Sequence, residues 1–242
     1  MSGIKARVKF FRIVLGNIVI LATVATLLLV TLPVGTSRAD VPNKSPLYAG
    51  KSALKVSLMV NVYWGNEYIA PMLEIMKRYN VKTTFFVGGS WAAANASTLR
   101  AIADDGHEIG NHGYYHKDHT KLDAEYNRKE IASAHDVVKD VLDIDMDLFA
   151  PPSGAFCDDT LSVAEELGYR TIMWTRDTVD WRDHDPDVIY KRAVKNIKGG
   201  DLILMHPTES TLKALERIII TVYSHNLRIA PVSSVLDGES NL

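Results

Sequence analysis

Lys55-Val56-Ser57-Leu58-Met59-Val60-Asn61, running on into Val62-Tyr63-Trp64-Gly65-Asn66, is the stretch on which the reading of the fold turns. Residues 55–61 read as a β-strand. Beyond them, strand-like apolar runs alternate with amphipathic helix-like runs, and such alternation argues for parallel strands joined by helical crossovers. Two architectures satisfy that pattern, an open doubly wound sheet and a (β/α) barrel. An open sheet holding a dinucleotide would carry Gly-x-Gly-x-x-Gly directly after its first strand. Val62-Tyr63-Trp64-Gly65-Asn66 does not fit that motif. A barrel draws its site from the loops after many different strands, and that is where the polar residues of this chain fall.

Working outward, Ile69, Met72, Leu73, Met76 and Tyr79 share one helical face. Thr83-Thr84-Phe85-Phe86-Val87, closed by Gly88-Gly89, predicts a strand. Ser90 opens an Ala-rich helix to about Ala103, and His107-Glu108-Ile109-Gly110 reads as a short strand. A long helix is expected over Asp123–Leu142. Leu148-Phe149 leads into Pro151-Pro152, and Asp158 is placed as the cap of a helix ending at Leu167, with Gly168 as its stop. Arg170–Trp174 reads as a strand, and Asp185-Pro186 as a helix start with Pro at the first position. Asp201–Met205 is a near-continuous apolar run, as expected of a strand buried on both faces. A helix over Glu209–Tyr223 and a strand over Leu227–Ala230 complete about seven β-α units. No internal repeat or low-complexity tract interrupts them.

Upstream, the character changes. Lys5, Arg7, Lys9 and Arg12 make residues 1–12 a basic segment, and residues 13–34 carry no charge. An apolar run of that length can span a bilayer, which takes about 20 residues. Positive charge ahead of it predicts an inside N-terminus and an extracytoplasmic remainder. Ser37-Arg38-Ala39 fits a small-x-small cleavage site, whereas the length of the run favours an uncleaved signal anchor. Residues 35–54 read as a linker and 55–242 as the folded domain. A formal net charge of −2, without a basic stripe, excludes nucleic acid as a partner. Cys157 is the one cysteine, so no intrachain disulfide forms, and with Asp158 and Asp159 beside it we read it as structural.

The residues that carry chemistry follow the expected strands: Asn61, then His112 and His116, then Pro151-Pro152-Ser153-Gly154, then Asp177 and Asp180, then His206. Two His four apart can face one ion if the segment is helical or tightly turned; the plain alternative is a pair of solvent-facing loop histidines. His119 is a possible extra ligand and more simply a surface residue. His206 ends an apolar strand. It is either satisfied by a backbone carbonyl or a general acid for a leaving amine, with Asp177 as the carboxylate that orients it. Trp181 is either core or a platform for a sugar ring.

Taken together, four motifs resemble those of the polysaccharide deacetylases, the NodB-homology carbohydrate esterases. They are His107-Glu108-Ile109-Gly110-Asn111 with His112–His116, Phe149-Ala150-Pro151-Pro152-Ser153-Gly154, Asp177–Trp181, and Leu204-Met205-His206. The resemblance spans about residues 52–236 in motif order. It is nearest to the sporulation-associated YlxY-like and PdaB-like subgroup, where Trp64-Gly65-Asn66-Glu67-Tyr68 and His206-Pro207-Thr208 look YlxY-like. It implies a deformed (β/α)7 barrel and a divalent metal, often zinc, held by an Asp and two His. His112 and His116 match those two His, His206 the catalytic acid and Asp177 the Asp that tunes it. Trp64, Pro152 and Trp181 are the expected sugar contacts. The implied substrate is an N-acetylated amino sugar of an extracellular polysaccharide such as peptidoglycan, and a monomer is expected.

The first motif of that family, Thr-Phe-Asp-Asp-Gly, is altered. Here it reads Met59-Val60-Asn61-Val62-Tyr63, so the base Asp becomes Asn61 and the metal Asp becomes Val62, while the Arg that pairs with the base falls at Ala150. The three changes are mutually consistent, because a buried Arg without its counter-charge costs several kcal/mol. An amide is no base near neutral pH, and catalytic zinc usually has three protein ligands. Two functions therefore stand: a metal-dependent deacetylase, and an inactive homologue that binds cell-wall glycan or an envelope partner.

Overall fold

The structure, a computed structural model, describes residues 45–238. The basic segment, the apolar run over 13–34 and most of the proposed linker lie outside the described residues. Among the described residues no helix is long and apolar enough to cross a membrane.

The strands are β1 (Lys55–Val62), β2 (Thr84–Val87), β3 (Glu108–Asn111), β4 (Leu148–Phe149), β5 (Arg170–Thr171), β6 (Arg176–Asp177), β7 (Leu202–Met205) and β8 (Arg228–Ile229). They form one parallel sheet in the order β5-β4-β3-β2-β1-β7-β6, with β8 pairing the start of β1. This is a curled, parallel-stranded α/β half-barrel. Its helices are α1 (Asn66–Arg78), α2 (Gly89–Ala94), α3 (Ala96–Asp104), α4 (Ala124–Leu142), α5 (Asp158–Glu166), α6 (Pro186–Val194), α7 (Glu209–Ser224) and α8 (Val232–Asp237).

The period-2 alternation of strands sorts β1 onto two cores. Val56, Leu58, Val60 and Val62 join the outer core with Ile69 and Met72 of α1 and Ile218 and Ile219 of α7. Met59 faces the barrel interior with Phe86, Leu148, Ala150 and Leu202. The short helix α8 plugs the end of the interior away from the strand C-termini with Val232, Val235 and Leu236. Its first turn is pinned by Val232 N–H donating to Thr84 Oγ1 at 2.7 Å and Ser233 N–H to Glu108 Oε2 at 3.2 Å. Asn61 is two residues after Met59 and so points inward at the open end.

Several expectations are corrected. The Ala-rich helix is two helices, broken at Asn95, whose side-chain Nδ2 donates to Trp91 O at 2.9 Å and competes with helix continuation. Cys157, not Asp158, is the cap residue of α5. The two-residue strand β6 is not among the strands expected from the sequence; Arg176 is held there by Asp201 at 2.8 Å. Part of the linker is docked: Leu47 N–H donates to Thr171 O and Leu47 O accepts from Met173 N–H, both at 2.8 Å, so this segment covers the β5 edge.

Candidate active site

At the C-terminal ends of the strands lies a cavity of about 440 Å³. Asn61 of β1 lines it, with Tyr63 and Trp64 from the loop that follows. That loop needs Gly65: its φ is +77°, and a Cβ there would sit 2.0 Å from Pro207 O. His112 and His116 enter from the loop after β3, Asp177 from β6, Trp181 from the loop beyond it, and Leu204 and His206 from the end of β7.

The His112–His116 turn is built from behind by α4. Asn111 Oδ1 accepts from Gly113 N–H at 2.9 Å, and Glu130 Oε2 accepts from Tyr114 N–H at 3.0 Å and Tyr115 N–H at 2.7 Å. Gly113, at φ +69°, lets the chain reverse against Pro152, Glu130 and His119. His112 Nδ1–H donates to Ala150 O at 2.7 Å, which leaves Nε2 as the nitrogen with a free lone pair. The His112 and His116 ring centroids are 5.1 Å apart. Burial, and next the charge of His116, push His112 down to about 3; burial likewise lowers His116. Both rings are neutral at neutral pH.

The partner of His206 is Asp180, not Asp177. Asp180 is fully buried, and its two oxygens accept from His206 Nδ1–H at 2.7 Å and from His206 N–H at 2.6 Å. The oxygen that takes the backbone N–H also accepts from the hydroxyl of Thr211 in the first turn of α7. Asp177 stays on the cavity wall and accepts from Val179 N–H at 2.8 Å. Between them Val179 adopts φ +54°, a left-handed conformation rare for a β-branched residue, and this reversal turns Asp180 rather than Asp177 toward His206. Trp64 stacks on the His206 ring at 5.4 Å and 15°.

Two further residues are placed otherwise than expected. Pro152 is buried behind the His turn, and Ser153, turned by φ +55°, lines the cavity in its stead. His119 is fully buried, not on the surface: its Nδ1 donates to Asn127 Oδ1 at 2.6 Å, the direction fixed because Asn127 Nδ2 already donates to carbonyls. Sequence reasoning missed Asn127, Glu130, Thr211 and the role of Asp180. The first two had a signal, since they are polar residues in the buried stripe of an amphipathic helix.

The altered positions are consolidated. Val62 is fully buried in the outer core and does not line the cavity. Ala150 is fully buried in the inner one. Asn61 is 3% exposed, and its Oδ1 makes no hydrogen bond among the described residues. Asp118 pairs with Thr120 and Lys121, His119 faces the protein, and neither lines the cavity. Among the described residues no group of three or more His, Cys, Asp or Glu is placed to hold a metal ion. The residues present therefore supply two imidazoles and do not fit a catalytic metal centre.

The pattern that defines the family described as "Polysaccharide deacetylase" matches residues 50–172. The chain belongs to the polysaccharide deacetylase family. This family, CE4, comprises hydrolases acting on C–N bonds, and its deacetylases are generally metal-dependent. The chain is 37% identical over 193 residues to an uncharacterized protein, YlxY, of Bacillus subtilis, covering 79% of this chain and 60% of that one. It is 29% identical over 174 residues to a peptidoglycan-N-acetylglucosamine deacetylase of Bacillus cereus, covering 70% and 63%. It thus spans less than two thirds of these curated relatives. Among solved structures it is similar to a CE4 family pseudoenzyme from Bacillus anthracis, with a TM-score of 0.78, 35% identity and coverage of 82% of this chain and 72% of that one. A mutant of that pseudoenzyme with restored enzymatic activity matches at 33% identity and TM-score 0.78, covering 81% and 73%.

Proposed function

We propose that this domain is a glycan-binding member of its family, holding an N-acetylated amino sugar of cell-wall polysaccharide in a cavity whose hydrolytic chemistry has been disabled. The observation that carries this is the pair Asn61 and Val62: a neutral amide stands where the family has its base, and a core valine where it has a metal ligand. Asn61 takes no proton from water, and general-base catalysis typically contributes 10²–10⁴-fold. Two of the three expected sugar contacts line the cavity. Trp64 and Trp181, 43% and 54% exposed, offer ring faces to a sugar at the cavity mouth, where an apolar body with a polar handle suits carbohydrate. The likeness to a pseudoenzyme, and to a mutant of it with restored activity, supports an altered motif rather than a collapsed site. On this reading the protein belongs to the YlxY-like branch, is held outside the cell by residues 13–34, and takes peptidoglycan as its partner.

A second reading, an active deacetylase, is favoured by one observation: His206 keeps a buried carboxylate on Nδ1, leaving the far ring nitrogen to give a proton to a departing amine. One experiment separates the two. Acetate release from acetylated peptidoglycan is measured with the purified full chain, with chelator and with added zinc or cobalt, alongside co-sedimentation with the same peptidoglycan. Binding without acetate is the expected result; metal-dependent acetate lost in His112→Ala establishes the enzyme instead.

A further inference from the structure

We propose that Tyr169 and His135 are positioning residues for the His112–His116 turn: a hydrogen-bond series that begins at the surface carboxylate of Asp145 fixes the amide of Asn111, and Asn111 fixes the reversal at Gly113. None of these groups lines the cavity, and the inference stands whatever ligand the cavity takes.

The direction of every proton in the series follows from one backbone bond. Gly113 N–H donates to Asn111 Oδ1 at 2.9 Å, so the other amide atom is the NH₂. Its two hydrogens go to Ile131 O at 2.8 Å and Tyr169 Oη at 3.0 Å. The Tyr169 oxygen therefore accepts, and its own proton goes to His135 Nδ1 at 2.5 Å. A neutral imidazole that accepts at one nitrogen carries its proton on the other. His135 Nε2–H accordingly donates to Asp145 Oδ1 at 3.1 Å, which also takes Lys139 Nζ at 2.6 Å. Burial raises Tyr169, so the phenol keeps the proton it gives.

The series runs from solvent to a fully buried end. The Asp145 side chain is 70% exposed and that of His135 23%, whereas Tyr169 is 5% exposed and Asn111 is fully buried. Turning the Asn111 amide over would set its NH₂ against Gly113 N–H and its oxygen against Ile131 O, two like-pole contacts where no water reaches. Gly113 needs such an anchor, because at φ +69° it is held by no side chain of its own. Gly113 O in turn accepts from Gly89 N–H at 2.9 Å, which ties the turn to the start of α2.

The test is residue-resolved amide hydrogen exchange of the full chain, with ¹H–¹⁵N spectra of the imidazoles, in the wild type and four variants. His112 N–H, which donates to Val87 O at 3.0 Å, is the internal reference. Tyr169→Phe removes the hydroxyl alone. It is expected to speed exchange at Gly113 about tenfold more than at His112, the scale of one hydrogen bond, and to broaden the His112 and His116 ring signals. His135→Leu, which leaves the phenol proton without an acceptor, is expected to act in the same direction. His135→Asn, whose Oδ1 stands in for Nδ1, is expected to restore the wild-type ratio. Val138→Ala, a core truncation one turn along the same helix, is expected to speed both amides alike. Equal acceleration of the two amides in Tyr169→Phe, or like behaviour of His135→Leu and His135→Asn, overturns the inference. Glycan binding is read separately, so its absence tells against the proposed function and leaves this positioning role standing.

Discussion

Replacing Asp180 tests whether the His206 arrangement is held by the carboxylate found here. In Asp180→Ala, three donors lose their acceptor: His206 N–H, His206 Nδ1–H and the Thr211 hydroxyl. Each buried group left unmade costs about 1–3 kcal/mol. The His206 side chain is 16% exposed and regains some water, so the expected loss is about 3–5 kcal/mol, the range for removing one member of a buried pair. Asp180→Asn is more informative. One carboxylate oxygen serves two donors, the backbone N–H and Thr211, and the other serves only Nδ1–H. The amide oxygen of the introduced side chain keeps two bonds if it takes the first position, which turns the amide NH₂ toward Nδ1. The imidazole must then accept at Nδ1 and carry its proton on the far nitrogen. The expected cost is about 1.5–3 kcal/mol, one charge-assisted bond. Urea unfolding reads the stability, and ¹⁵N resonances of the imidazole at alkaline pH read the tautomer. A wild-type-like midpoint in Asp180→Ala, or an Nδ1–H ring in Asp180→Asn, refutes the assignment and returns Asp177 to consideration.

Three further outcomes are expected. His107 is buried, with Nδ1 accepting from Thr83 N–H, and burial pushes it down to about 4 from 6.5. The unfolded chain therefore takes up the proton first. This contribution is whole above pH 6.5 and lost as pH falls toward 4, by about 3 kcal/mol at 1.36 kcal/mol per unit; His107→Gln should flatten the wild-type slope of unfolding free energy over that window, and an unchanged slope counts against it. Val62→Asp alone buries a carboxylate in the outer core and should cost several kcal/mol. Urea unfolding reads that loss, and a wild-type-like midpoint in Val62→Asp counts against the outer-core placement of residue 62. Glu130→Ala frees Tyr114 N–H and Tyr115 N–H and should cost about 2–3 kcal/mol, whereas Glu130→Gln, which keeps an oxygen for both, should cost under about 1 kcal/mol in the same denaturation assay.

How far the sequence reveals this molecule depends on the range of the interaction concerned. The strand at 55–62 and the alternation after it are local patterns, and the parallel half-barrel follows from them. Asn61, Trp64, His112, His116, Asp177, Trp181 and His206 surround one cavity because each lies at the C-terminal end of a strand or in the loop beyond it, which the order of elements already implies. Which carboxylate meets His206 is another matter. Asp177 and Asp180 are three residues apart on a short turn, and the choice is made by a left-handed Val179 that no propensity foretells. His119 sits among Lys117, Asp118 and Lys121 and looks like surface. Its burial is made by Asn127 on α4, a contact visible only once that helix has docked. The two-residue strand β6 is specified by β7 beside it, not by its own residues.

The altered residues bear on whether this cavity is a relic. A catalytic site that decays piecemeal leaves unpaired charge, because removing one member of a buried pair strands the other at a cost of about 3–5 kcal/mol. Here nothing of that kind is seen at the three positions. Asn61 is neutral, Val62 has become part of the outer core, and Ala150 fills the inner one. Yet the hydrogen-bonded Asp180–His206 pair remains, though a buried polar pair is often no better for stability than well-packed apolar residues. Folding alone therefore gives little reason to keep it. Loss of charge at the base and metal positions, together with an intact polar dyad beside a 440 Å³ space, accords with the proposal that this site holds its ligand and does not cleave it.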